Sequence, residues 1–189
     1  MPMTITVLRL GHRPQRDKRL STHLILCARA LGAEKAYYTG VKDPKFEEGI
    51  SSVVENWGGD FKIEYSGSQM RLLRNWEGKI VHLTMYGARA EEVVKQVKCI
   101  EENLLIVVGG AKVPREVYEK ADWNVSLTTQ PHSEVSALAL FIYLLEGESS
   151  LRHEFLGGRI KITPTLNGKD VEVLRDTQSA KTKSNDNTV

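Results

Sequence analysis

The sequence has little of what would staple a small extracellular scaffold or hold a chain in a membrane. It has only two cysteines in 189 residues, Cys27 and Cys99, in no Cys-x-x-Cys spacing, which favours reduced thiols packed in a cytosolic protein. No apolar run reaches the roughly 18 residues that a bilayer span needs, and the first residues lack a signal-peptide pattern. We therefore expect a soluble, cytoplasmic protein with no membrane partner.

Several motifs of well-known enzyme classes are also missing. The chain has no Gly-x-Gly-x-x-Gly or Walker pattern, no acidic residue at the spacing of a ribose-binding carboxylate, and no Gly-x-Ser-x-Gly elbow. His23, His82 and His132 stand at no spacing typical of metal ligands, so we predict no metal site. A nicotinamide-dependent α/β enzyme is the weakest interpretation, because its glycine fingerprint is absent.

Charge of one sign is scarce as well. The formal net charge is +2, from 26 basic and 24 acidic side chains. Because the overall field is weak, a nucleic-acid partner would have to meet a local basic patch. One such segment runs from Gly11 to Arg19, which we predict to be a loop. It is interpreted either as a solvated face or as a phosphate contact, since arginine offers phosphate a planar fork of donors.

Strands that alternate with helices are what the chain does contain. The apolar periodicity predicts a first strand over Thr4–Leu10 and a helix that ends at Gly32. Further strands are expected at 35–38, 61–65, 79–84, from 104 and around 125, and further helices at 44–57, 68–76, 88–101 and 135–145. The repeating unit predicts an α/β fold, with a parallel sheet and helices on both faces.

The pattern changes after residue 150. Alternating runs at Arg159–Thr163 and Val171–Leu174, around Asn167-Gly168, predict a β-hairpin in an extension over residues 151–176. Residues 177–189 have almost no apolar content, and we expect a disordered tail. The main domain is then predicted over residues 1–150.

Two loops just beyond predicted strands are candidate ligand sites, because open α/β sheets hold ligands at the carboxyl ends of their strands. Gly109-Gly110 permits close approach of a ligand to the backbone. In Gln130–Glu134, Ser133 can cap the next helix while Glu134 stays near the ligand edge. The alternatives stay open, since a glycine turn is common after a strand and capping alone explains Ser133. His82–Gly87 ends another strand in a similar polar turn.

The helix expected over 135–145 is apolar on nearly every side. A helix of this kind must be covered all round. The pattern therefore predicts that another surface packs against it.

Taken together, these segments resemble the archaeal tRNA cytidine 2'-O-methyltransferase family, of the SPOUT class of knotted methyltransferases. The resemblance rests on five segments that occur in this order, namely Leu10–Arg19, Thr22-His23, His82–Gly87, the Gly109 loop and Gln130–Ser136. It covers about Met3 to Leu174. It implies that residues 1–150 are a SPOUT domain with a deep C-terminal trefoil knot, and that the protein is a homodimer with active sites at the subunit interface.

The same resemblance implies an S-adenosylmethionine pocket. The positions that match the family's cofactor loops are Leu83, Thr84, Gly109, Gly110, Ala111, Lys112, Val113, Leu127, Thr128, Thr129, Gln130, Pro131, His132, Ser133 and Glu134.

The reaction that the resemblance implies is methyl transfer to the ribose 2'-hydroxyl of cytidine 56 in the TΨC loop of tRNA. Arg16 and Arg19 are the candidates for general base or phosphate anchor, and the residues expected to contact RNA are His12, Arg13, Arg16, Arg19 and His23. Two alternatives remain, a knotted methyltransferase that modifies another RNA nucleotide and a non-catalytic dimeric RNA-binding protein.

Overall fold

A six-stranded parallel sheet forms the centre of the computed structural model, which describes residues 3–110 and 112–174 and, of Asp17 and Lys18, only the backbone. The strands are β1 (Ile5–His12), β2 (Lys35–Gly40), β3 (Lys62–Tyr65), β4 (Lys79–Arg89), β5 (Leu104–Val108) and β6 (Trp123–Ser126). Their order is β3-β2-β1-β5-β4-β6, and each neighbouring pair is parallel. The predicted sheet is confirmed.

Helices cover both faces of the sheet, as predicted. They are α1 (Pro14–Ala30), α2 (Pro44–Trp57), α3 (Gln69–Arg74), α4 (Ala90–Val97), α5 (Arg115–Lys120) and α6 (Glu134–Glu146), followed by a short 3-10 helix at Gly147–Leu151. Apolar side chains of α1, α2, α4 and α6 pack on the face that carries Val7. Those of α3 and α5 pack on the opposite face with Leu8, because successive strand residues point to opposite sides.

The basic segment Gly11–Arg19 differs from its prediction. Gly11–Arg19 was predicted as a loop, but β1 continues to His12 and α1 already begins at Pro14. Proline suits the first helical position, because its φ is set for the helix and its missing N–H has no helical partner to lose. The apolar stripe appears only from Leu20, because Gln15, Arg16 and Arg19 in the first turns of α1 are exposed.

Strand β4 is also longer than the predicted range, 79–84. Val125 of β6 pairs with both Leu83 and Ala88, so the four residues between them bulge out of the ladder. Gly87 is required there, because a Cβ would overlap the backbone of Asn124 and Val125. The bulge moves residues 84–87 to the edge of the sheet, where a polar turn was predicted.

The predicted hairpin is present as an antiparallel pair, β7 (Ile160–Thr163) and β8 (Asp170–Val173). It is tied to the end of α2, where Arg159 N–H donates to Asn56 O at 2.8 Å. The expected tail, 177–189, lies outside the described residues. The knot and the division of the chain at residue 150 stay predictions. In the described part of the chain, no helix has the length and apolar character that crossing a bilayer would require.

Candidate cofactor pocket and arginine surface

A cavity of about 380 Å³ lies at the carboxyl ends of β4, β5 and β6 and at the beginning of α6. This edge is where the sequence analysis expected a ligand. We call it the pocket, and the residues that line it are His82, Leu83, Thr84, Met85, Tyr86, Val108, Gly109, Gly110, Val113, Tyr118, Leu127, Pro131, His132, Glu134 and Ala137.

Most of the predicted cofactor positions meet there. The structure brings together Leu83, Thr84, Gly109, Gly110, Val113, Leu127, Pro131, His132 and Glu134. Ala111 lies outside the described residues. The lining does not include Lys112, Thr128, Thr129, Gln130 or Ser133.

Some of those remaining residues shape the loop instead. Thr128 Oγ1 accepts from Gln130 N–H at 3.2 Å, and Ser133 Oγ accepts from Val135 N–H at 3.2 Å as the N-cap of α6. The capping alternative for Ser133 is thus observed, and Glu134 is the first residue of the helix beside the pocket.

Sequence reasoning missed six lining residues: His82, Met85, Tyr86, Val108, Tyr118 and Ala137. The first three belong to the segment His82–Gly87, which the sequence analysis described as a polar turn at the end of a strand, so the sequence did carry a signal for them. Val108 and Ala137 look like ordinary core residues. Tyr118 comes from the middle of α5, and its place at the pocket follows only from the packing of that helix on β4.

The glycine loop after β5 shows which glycine the fold needs. A Cβ at Gly109 would overlap the Val113 side chain and lie 3.5 Å from Leu10 Cδ1. A Cβ at Gly110 would lie 3.7 Å from Arg9 Nη1, which is ordinary contact. A side chain at Gly109 would therefore displace Val113, which also lines the pocket.

Arg9 is a charged residue that the sequence analysis also missed. Its side chain is 1% exposed, with Nη1 3.8 Å from Oε1 of Glu134 and Nε donating to Ser21 Oγ at 3.5 Å. A buried guanidinium needs such partners, since removing a charge from water without compensation is costly. Arg9 thus connects Glu134 at the pocket with Ser21 of α1. The signal available in the sequence was an arginine inside an otherwise apolar strand.

His12 corrects another prediction. Its ring is fully buried, with Nδ1 2.9 Å from Ser21 Oγ and Nε2 3.4 Å from Asp43 Oδ2, and it stacks on Phe46 with 4.7 Å between ring centroids. A ring enclosed in this way cannot contact RNA, because the end of β1 turns it towards α1 and α2. His12 supports the fold beneath the basic segment.

His82 holds the end of β4 to β6. Its Nδ1 lies 2.8 Å from Asn124 Oδ1, while Asn124 Nδ2 donates to the carbonyl of Tyr118 at 2.9 Å. Since the Asn124 oxygen faces the ring, Nδ1 carries the proton. Burial lowers the pKa of His82, against a smaller opposite effect of the Asn124 hydrogen bond.

The remaining RNA candidates form an exposed surface on α1, which we call the arginine surface: Arg13, Arg16, Arg19 and His23. Spacings of three and four residues place these side chains on one side of the helix. None of them lines the pocket of its own chain. The structure therefore separates the predicted catalytic residues from the predicted cofactor residues.

Helix α6 keeps an uncovered apolar strip in the described part of the chain. Leu140, Tyr143 and Leu144 are 52%, 41% and 38% exposed, whereas Phe141 and Ile142 between them are buried. The helix was expected to be covered all round, and α1, α4 and β5 cover only part of it. Among the described residues, no cluster of three His, Cys, Asp or Glu side chains could hold a metal ion.

Comparison with known proteins gives consistent matches. The sequence model of the tRNA ribose 2'-O-methyltransferase family aTrm56 matches residues 57–172. The chain is 48% identical over 174 residues to the tRNA (cytidine(56)-2'-O)-methyltransferase of Methanobrevibacter smithii, covering 90% of this chain and 97% of that protein. It is 49% identical over 176 residues to the protein of the same name from Thermococcus kodakarensis, covering 90% and 98%.

A solved structure with a similar fold is the TrmH/SpoU tRNA modifying enzyme of A. aeolicus. The TM-score is 0.57 at 18% sequence identity, and the match covers 78% of this chain and 77% of that one. At this identity the likeness concerns the fold alone.

Proposed function

This chain belongs to the tRNA ribose 2'-O-methyltransferase family, and we propose that it methylates the ribose 2'-hydroxyl of cytidine 56 in the TΨC loop of tRNA. Its relatives carry this activity in their names and match it along nearly their whole length. The structural observation that carries the proposal is the pocket, which gathers three separate segments at one sheet edge.

The pocket fits S-adenosylmethionine. When bound, this cofactor supplies an electrophilic methyl group on a sulfonium, which is a good leaving group. A cavity of about 380 Å³ with apolar walls and a few polar groups is typical of small-molecule sites. Leu83, Val108 and Leu127 offer apolar surface, and Gly109 and Gly110 line the same cavity without side chains.

Among the residues that line the pocket, Glu134 is the carboxylate, and it offers an acceptor to the sulfonium or the ammonium of the ligand. Arg9 Nη1 lies 3.8 Å from this carboxylate, and the Glu134 side chain is still 27% exposed, so part of it remains open to a ligand. Removing a water shell around these groups strengthens their interaction with a bound charge.

The arginine surface is proposed to serve the RNA. Arg16 and Arg19 remain the candidates for general base or phosphate anchor, with Arg13 and His23 as supporting contacts. Free arginine stays protonated in neutral solution, so acting as a base would need help from a neighbouring phosphate or the developing alkoxide. Positioning of the hydroxyl and assistance with loss of its proton are then the tasks of these residues.

A homodimer would reconcile the two separated surfaces. Since α1 does not reach the pocket of its own chain, we propose that the arginine surface of one subunit completes the pocket of the other. The uncovered strip of α6 supports this, because exposed apolar patches are typical of protein interfaces. We further propose a cytoplasmic protein, where tRNA is available, with residues 1–150 as the catalytic domain.

The test is transfer of labelled methyl from S-adenosylmethionine to an unmodified tRNA transcript, with the product located by nuclease digestion and mass spectrometry. We expect one label, on the ribose of cytidine 56, and no label when that residue is already 2'-O-methylated. Label on another nucleotide would contradict the substrate assignment. No transfer despite measurable cofactor and tRNA binding would contradict catalysis and favour a binding role.

A further inference from the structure

The bulge of β4 presents one aromatic side chain to solvent at the rim of the pocket. Tyr86 lines the pocket and yet is 81% exposed, the highest exposure of any aromatic residue among the described parts of the chain. Single exposed apolar side chains are common and need no explanation. This one differs because of where it lies and how firmly its backbone is held.

The backbone on both sides of Tyr86 is held by packing. On one side, Thr84 Oγ1 accepts from Tyr86 N–H at 3.4 Å and lies 3.3 Å from the Tyr118 hydroxyl. On the other side, Gly87 packs so closely on the backbone of Asn124 and Val125 that no side chain fits. The ring is thus displayed by a fixed turn, which reduces the conformational entropy that binding would cost.

The surroundings of Tyr86 distinguish it from the other strongly exposed tyrosine. Tyr143 lies between Leu140 and Leu144 on the uncovered strip of α6, as expected at a protein interface. Tyr86 instead borders Thr84, Met85 and the rim residue His132 at the mouth of a ligand cavity. An exposed ring on a backbone held in this way, at the mouth of the cavity, fits a flat aromatic partner.

We infer that Tyr86 stacks against a nucleobase of the RNA substrate at the mouth of the pocket. Proteins recognise single-stranded loops of RNA by stacking splayed bases on aromatic side chains. The target ribose must reach the pocket, so its base or an adjacent one passes the rim. This inference rests on the proposed function, and it assigns to Tyr86 a role in holding the RNA substrate.

The test compares Tyr86→Ala with Tyr86→Phe, which keeps the ring, and with Leu166→Ala, which trims another highly exposed side chain at the tip of the hairpin. Affinity for tRNA is measured by fluorescence titration and affinity for S-adenosylmethionine by calorimetry. We expect Tyr86→Ala to weaken tRNA binding about 5- to 150-fold, as for loss of one stacked base, and to change cofactor affinity by a smaller factor, because Tyr86 lines the pocket only at its mouth. Tyr86→Phe should restore most of the tRNA affinity.

A second readout reports stacking directly. The tRNA carries 2-aminopurine beside the target cytidine, and the fluorescence of this base is measured. It should be quenched more in the complexes of the wild type and Tyr86→Phe than in the complex of Tyr86→Ala. Equal quenching and equal tRNA affinity would overturn the inference, and so would a loss of cofactor affinity with tRNA affinity unchanged.

Failure of the proposed function is recognised separately. If the wild type binds tRNA but labels no cytidine 56, the proposed function is wrong, and the binding and quenching measurements still decide the role of Tyr86. If the wild type does not bind tRNA, both are wrong.

Discussion

The pocket is made of loops whose positions are held by buried contacts, whereas the arginine surface is a row of exposed side chains along one helix. In the pocket, a shift of one group moves others, because Glu134 depends on Arg9 and the bulge depends on Gly87. On α1, the side chains of Arg16 and Arg19 are exposed, and the helix sets their spacing. The difference teaches that small-molecule binding requires a built cavity, while RNA contact requires charge at the right spacing.

The largest effect is expected from Arg16→Ala and Arg19→Ala. At least one of them should lower methyl transfer about 100-fold or more, the size typical of lost general acid–base assistance. Affinity for S-adenosylmethionine should stay unchanged, because neither side chain lines the pocket. Single-turnover transfer and calorimetry measure the two quantities. Wild-type transfer in both variants would show that the arginine surface has no part in the reaction.

Subunit mixing would sharpen the comparison further. A variant with a blocked pocket, Gly109→Val, and the less active arginine variant should each be inactive alone. If the two surfaces meet across a homodimer, a random mixture should recover about a quarter of the wild-type transfer, since half of the dimers then hold one intact site of two. Recovery is measured after unfolding and refolding the mixture. No recovery from folded dimers would place both surfaces in one chain.

A charge on the uncovered strip of α6 should break the assembly. We expect Leu140→Glu or Leu144→Glu to shift the protein from dimer to monomer in sedimentation velocity, because a buried unpaired carboxylate is costly at an interface. Leu166→Glu, at the exposed tip of the hairpin, is the matched control and should remain a dimer. A monomeric wild type, or unchanged dimers in both strip variants, would contradict the proposed interface.

The smallest effect concerns the buried histidine of the pocket. Burial lowers the pKa of His82 from its ordinary value of 6.5, so below that pH the unfolded chain binds the proton more readily and the folded state loses stability. His82→Gln should therefore show a smaller loss of unfolding free energy between about pH 7 and pH 5, measured by urea unfolding. The control His23→Gln, at an exposed position, should show the same change of unfolding free energy with pH as the wild type. If the unfolding free energy of His82→Gln changed with pH as much as that of the wild type, His82 would not be the source of this pH dependence.

The order of strands and helices was predictable because it depends on local periodicity. Asp43 and Pro44 predicted the start of α2, and Asp43 Oδ1 does accept from Phe46 N–H at 3.1 Å. Gly109 and Glu134 were found because parallel strands place their carboxyl ends at one edge. The same reasoning failed at Gly11–Arg19, where the first turns of a helix lack an apolar stripe to reveal them.

By itself the sequence determined the α/β class, the sheet with helices on both faces, the hairpin, and three segments that form the pocket. Only the tertiary structure decided that His12 is buried, that Arg9 stands behind Glu134, that Tyr118 and Ala137 join the pocket, and that residues 84–87 bulge. The physical reason is the separation along the chain of the residues that interact. Periodicity and capping act between residues a few positions apart, whereas burial and pocket lining depend on which distant segments the folded sheet brings into contact.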